Sequence, residues 1–224
     1  MKPRRSRRAF ALGALATLAA LAACTTTYRT PLDPALFQST TLAAAPAMAA
    51  DAQRVALSLE DPGQVFRSPT LSHFSARFEV PVGHIAEAAA LLALRREFTT
   101  VNSVAAGSAG GALRLQLAPV TMELKSERIY FIPLPYLWPQ RVDVTLRLRL
   151  TVRVLGPGGV VRWAQDYDSG AELWVPRRKS FLVLEPVQEG VQRLTHELSL
   201  RLMRQAARDA RAWAEHDRLR ERVL

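Results

Sequence analysis

Side chains that could do covalent or acid-base chemistry are few and scattered along this chain of 224 residues. The four histidines, His73, His84, His196 and His216, show no H-E-x-x-H or comparable spacing that would bring two ring nitrogens to one metal ion. His196, followed by Glu197 in a helical pattern, reads as a surface residue. Asp166 and Asp168 lie two apart in an alternating segment and so share one face of a strand, as acid/base or metal-binding carboxylates would. The same spacing has a structural explanation, because Arg147 and Arg149 stand on the strand before and opposite charges pair across a hairpin. Gly107-Ser108-Ala109-Gly110-Gly111 lacks the Lys and spacing of a phosphate loop, and Ser108 lacks the G-x-S-x-G frame of a hydrolase. A single Cys, Cys24, excludes an intrachain disulfide and a Cys-based zinc site. No catalytic residue, metal ligand or cofactor is therefore expected, and the chain reads as a binding protein rather than an enzyme.

Cys24 has a chemical context of its own. A basic head, Met1 to Arg8, precedes an apolar run from Ala9 to Ala23 that is shorter than the ~20 residues needed to cross a bilayer. Its end, Leu21-Ala22-Ala23-Cys24, resembles the lipobox of bacterial lipoproteins, whose cysteine is lipidated and becomes the N-terminus after cleavage. That resemblance implies a signal peptide over residues 1–23 and a membrane anchor of acyl chains on Cys24. Thr25 is not the Asp that resembles an inner-membrane retention signal, so an outer-membrane anchor with the body facing the periplasm is expected. Ser6-Arg7-Arg8-Ala9-Phe10 also resembles the twin-arginine export motif, from which Ala11 and Leu12 depart. The net charge of +10 shrinks once the signal is removed, since its five cations leave 25 basic against 20 acidic residues. A nucleic-acid partner is not expected at such an address.

The elements that must position any site follow from periodicity. Residues 24–53, rich in Thr and Ala with Pro31, Pro34 and Pro46, read as a tether that would hold the body on the order of 30 Å from the membrane. Leu32, Leu36 and Phe37 offer its first half a way to fold back. A single domain is expected over 54–224. Strands are read at 54–60, 74–80 and 113–124, and a helix at 83–98. Strict alternation from Val142 to Val154, a Gly156-Pro157-Gly158-Gly159 turn, and Val161, Trp163, Gln165 and Tyr167 make a β-hairpin. A four-residue loop would set Arg149 opposite Asp166, Arg147 opposite Asp168, Val152 opposite Trp163 and Leu148 opposite Tyr167. A helix from Pro186 to Arg220 closes the chain, its Arg-rich distal part expected to project beyond the sheet. The fold class is α+β: an antiparallel or mixed sheet of about five strands with two helices packed on one face.

Two segments exceed what a solvated loop needs. Ile129 to Pro139, with Tyr130, Phe131 and Trp138, is too apolar for open solvent and too Pro-rich for a central strand. The second, Trp174 to Phe181, sets aromatic residues beside Arg177, Arg178 and Lys179. Either they fold over the end of the core or they form a docking surface for an envelope protein or an anionic lipid or glycolipid. The signal, the Pro-containing stretch, the element order and the hairpin before a final helix resemble small outer-membrane lipoproteins. These include the lipopolysaccharide-assembly lipoprotein and the auxiliary lipoproteins of ABC-type lipid transport. The resemblance implies a non-catalytic accessory role in an envelope machine, with a lipid carrier or a cell-wall or lipid-modifying enzyme as the alternatives.

Overall fold

The computed structural model describes residues 26–38, 54–71, 76–104, 113–129, 141–176 and 185–223. Its spine is β8, Arg141–Leu155, the segment of longest alternation. Val144, Leu146, Leu148, Leu150, Val152 and Val154 all face inward and are buried, while the residues between them face solvent. The strand β9, Val161–Pro176, lies antiparallel along one side of it for the whole length. On the other side β6, Leu113–Leu117, and β7, Thr121–Ile129, follow one another. The single strand expected over 113–124 is thus two, because Pro119 has no N–H to give to the ladder. Gln64 stabilises the break, its side chain accepting from Val120 N at 2.7 Å and donating to Val120 O at 2.8 Å. The sheet continues through β2, Arg54–Leu59, to β5, Thr100–Ser103, both pairings of β2 being parallel. A smaller sheet joins β1, Thr26–Arg29, and β3, Phe66–Arg67, to the central β4, Ala76–Val80.

The hairpin register differs from expectation by two residues. Arg149 faces Asp168, Thr151 faces Asp166, Val152 faces Gln165 and Leu148 faces Ser169. The loop is one residue longer than four, since Leu155 pairs with Val161, and an irregularity at Val154/Leu155 adds a second step. Gly158 and Gly159 make that loop possible at φ 71° and 81°. Two one-residue steps restore parity, which is why Tyr167 is still buried and Arg149 still exposed.

Both long helices cover the same face of the large sheet. Helix α2, Val82–Glu97, presents Ile85, Ala86, Ala89, Ala90, Ala93 and Leu94 to the core. Its first turn can reach the 61–62 backbone only because position 83 is glycine: a Cβ there would lie 2.5 Å from Pro62 O. The last helix, α3, Glu185–Val223, buries Val187, Val191, Leu198 and Leu202. Its distal half does not project as expected. Ala206, Ala207, Ala210 and Ala214 are buried, Tyr167 donates to Asp209 at 3.0 Å, and Arg211 and Arg162 reach Glu97 and Asp217 at 3.3 and 2.9 Å. Small residues let the helix lie close to the hairpin and α2, so the charges at its margins find partners.

Residues 26–38, read as the first half of a tether, are part of the fold. Beyond β1, a short helix α1, Ala35–Gln38, seats Phe37 in the core. The backbone between them is held by α3: Gln188 donates to Arg29 O at 3.3 Å, Gln192 to Pro31 O at 3.4 Å, and Asp33 N–H to His196 Nε2 at 3.3 Å. Four helical residues rise about 6 Å and two extended residues about 6.6 Å, so every fourth side chain of α3 meets every second residue of the segment.

Candidate functional site

Of the residues proposed for docking, Tyr130, Phe131, Trp138, Arg177, Arg178, Lys179 and Phe181 lie outside the described residues. So do Arg7, Arg8, Leu21, Ala22, Ala23 and Cys24. Trp174 is described. It stands on the solvent face of β9, 63% exposed, beside Asp143 of β8 and Glu127 of β7 in the cross-strand register. The three strands end together there: Ile129 pairs with Arg141, and Arg141 with Pro176. Both apolar segments therefore depart from one end of the sheet, as the hairpin topology implies. The open face at that end carries Glu127, Asp143 and Glu172 around the indole.

The residues with catalytic potential are engaged elsewhere. Asp168 accepts from Arg147 through both carboxylate oxygens and from Arg149 Nε at 3.1 Å, and the Arg147 bond holds its carboxyl below the usual range, with Arg149 adding to the effect. Asp166 accepts from Thr151 Oγ1 at 2.6 Å. Both carboxylates lie on the open face of the hairpin, but only Asp168 is paired with arginine as expected; the two-residue register shift leaves Asp166 opposite Thr151 instead of Arg149. His196 corrects the surface reading, since it is wholly buried. Its Nδ1–H donates to Gln192 O at 2.8 Å and its Nε2 accepts from Asp33 N–H, which fixes the neutral tautomer, and Phe37 packs against the ring at 4.9 Å. Burial pushes the imidazole below its ordinary pKa, partly offset by the Gln192 carbonyl and by Asp33. Burial also raises the Tyr167 phenol, and its bond to Asp209 raises it further.

Among the described residues no three His, Cys, Asp or Glu side chains are placed to hold a metal ion. A cavity of about 20 Å³ lies between the sheet and the two helices, lined by Leu57, Leu115, Val152, Ala90, Met203 and Ala207 among others. Its lining is wholly apolar. Sequence reasoning missed one charged feature. Arg204 Nε and Nη2 and Arg96 Nη2 are buried without a hydrogen-bond partner where α2 meets α3, and burial together with Arg96 and Arg208 depresses the Arg204 guanidinium. Nothing in the spacing of these arginines distinguishes them from neighbours on the solvent side.

No protein-family model matches the chain, and no curated protein matches it. Among solved structures, it is similar to a minor lipoprotein from Acinetobacter baumannii, at 14% identity over 69% of this chain and 93% of that one, TM-score 0.39. Rare lipoprotein B from Shewanella oneidensis is similar at 15% identity, over 75% and 99% of the two chains, TM-score 0.39. A DUF330 protein from Xanthomonas campestris is similar at 10% identity, over 85% and 99%, TM-score 0.45. No helix among the described residues is long and apolar enough to cross a membrane.

Proposed function

We propose that this chain is a lipid-anchored, non-catalytic accessory subunit of an envelope transport or assembly machine, held at the outer membrane through Cys24 and facing the periplasm. The observation that carries the reading is the common end of β7, β8 and β9, where Trp174 is exposed and from which both apolar segments leave. An aromatic side chain of this size, standing outward among acidic neighbours, suits an anchor for a partner protein. Asp166, Asp168 and His196, the candidates for acid-base chemistry, are held in structural bonds. A lipid carrier is the second reading, and it would need an apolar space larger than the 20 Å³ cavity between the sheet and the two helices. The test is Trp174→Ala in the full chain, with partners recovered from detergent-solubilised membranes. Loss of a central aromatic anchor weakens binding by about 2 kcal/mol, roughly thirtyfold, with melting unchanged. Full recovery of every partner rejects this end as the docking surface, and a co-purifying lipid in native mass spectrometry would favour the carrier.

A further inference from the structure

The N-terminal segment has a fixed direction along α3. Residues 29, 31 and 33 run parallel to α3, through Gln188, Gln192 and His196 in turn. Traced back from Arg29, β1 therefore leads beyond the start of α3, toward Thr26. Strand β9 runs the opposite way along the same helix, since Arg162 meets Asp217, Tyr167 meets Asp209, and Leu173 packs over Gly190. Its last residues, Trp174 to Pro176, thus lie level with the first turn of that helix. The first residue of β1 and the open end of the hairpin share one pole. Only Thr25 separates Thr26 from Cys24, and two residue steps span at most about 7 Å.

We infer that this pole lies against the bilayer that holds Cys24, with the Gly156–Gly159 turn pointing away from it. The inference rests on lipidation of Cys24 and replaces a spacer on the order of 30 Å by direct apposition. With 15 residues in β8, the turn at the far end of the hairpin stands roughly 50 Å from the pole. The partner of the accessory subunit is accordingly met at the membrane surface.

The test uses the lipidated full chain in vesicles of phosphatidylethanolamine and phosphatidylglycerol that carry a headgroup acceptor dye. Cys24 is acylated, so a donor fluorophore goes on one introduced thiol, either Glu172→Cys beside Trp174 or Val160→Cys in the distal turn. The expected result is strong energy transfer from position 172 and several-fold weaker transfer from 160. Inserting twenty Gly and Ser residues between Cys24 and Thr25 should erase most of the difference, whereas a long natural tether would make the insertion inconsequential. Equal transfer from the two positions, or stronger transfer from 160, overturns the orientation. A chain that mass spectrometry shows unacylated, and that does not bind the vesicles, fails at the anchor instead, so the two failures are distinguishable.

Discussion

Removing the His196 ring should release the N-terminal segment from α3. Replacement by Ala deletes the hydrogen bond to Gln192 O, strands the Asp33 N–H, and removes a ring packed 4.9 Å from Phe37. Two buried hydrogen bonds at about 1 kcal/mol each and an aromatic contact of about 1 kcal/mol give a loss of about 3 kcal/mol. For a chain of this length that corresponds to a fall in Tm of roughly 6–12 °C. Urea unfolding at pH 7.5 measures the loss. Hydrogen exchange should place it, with the amides of residues 29–38 exchanging much faster than those of β8. The ring also makes a pH prediction. Its folded pKa lies below the unfolded value of 6.5, so its contribution to stability is complete above pH 6.5 and is lost as pH falls through the folded value. Wild type should therefore lose stability below pH 6.5 relative to His196→Gln. A loss under 0.5 kcal/mol in the Ala variant, unchanged exchange over 29–38, or parallel pH curves for wild type and the Gln variant would refute the clamp.

Gly190→Ala improves helix propensity by about 1 kcal/mol, yet its Cβ would lie 2.1 Å from Leu173 Cδ2, so net destabilisation by about 1 kcal/mol is expected and Leu173→Ala should relieve it in a double-mutant cycle by urea titration. Tyr167→Phe loses the bond to Asp209 and should cost about 1–2 kcal/mol in the same assay, while leaving the fold intact by circular dichroism. Arg204→Met removes buried N–H groups that have no partner and should raise stability by up to about 1 kcal/mol; a fall instead would mean that the guanidinium is satisfied. Cys24→Ser should accumulate as unprocessed precursor and incorporate no labelled palmitate, because the sequence holds no other thiol.

Much of the sheet was legible because alternation is a direct image of a strand with one buried face. The thirteen residues from Val142 to Val154 show it without interruption, and the register error of two left every side chain on its expected face. The register itself depends on a bulge at Val154/Leu155, for which no residue type in the hairpin is diagnostic. Pro119 was a readable stop signal inside the expected 113–124 strand and marks the break between β6 and β7. Strand β1 left no such trace. Its four residues pair in parallel with β4, some fifty positions away, and Thr26, Thr27 and Arg29 are largely exposed, so no local pattern could announce it.

The candidate end of the molecule was legible for a different reason. Whichever register a hairpin adopts, the start of its first strand and the finish of its second lie at the same end, so Arg141 and Trp174 were bound to be neighbours. The position of residues 29–33 depends instead on Gln188, Gln192 and His196, a polar stripe at four-residue spacing. Such a stripe reads as a solvent face, because polar side chains on a helix usually meet water. Here they meet the backbone of an extended segment, whose two-residue repeat nearly matches the rise of one helical turn. The apolar stripe of Val187, Val191, Leu198 and Leu202 places α3 on the sheet, and the polar stripe beside it fixes the N-terminal segment to α3. A helix with two buried sides thus brings Thr26 and the open end of the hairpin to one pole, and only the apolar side can be recognised from hydrophobic spacing.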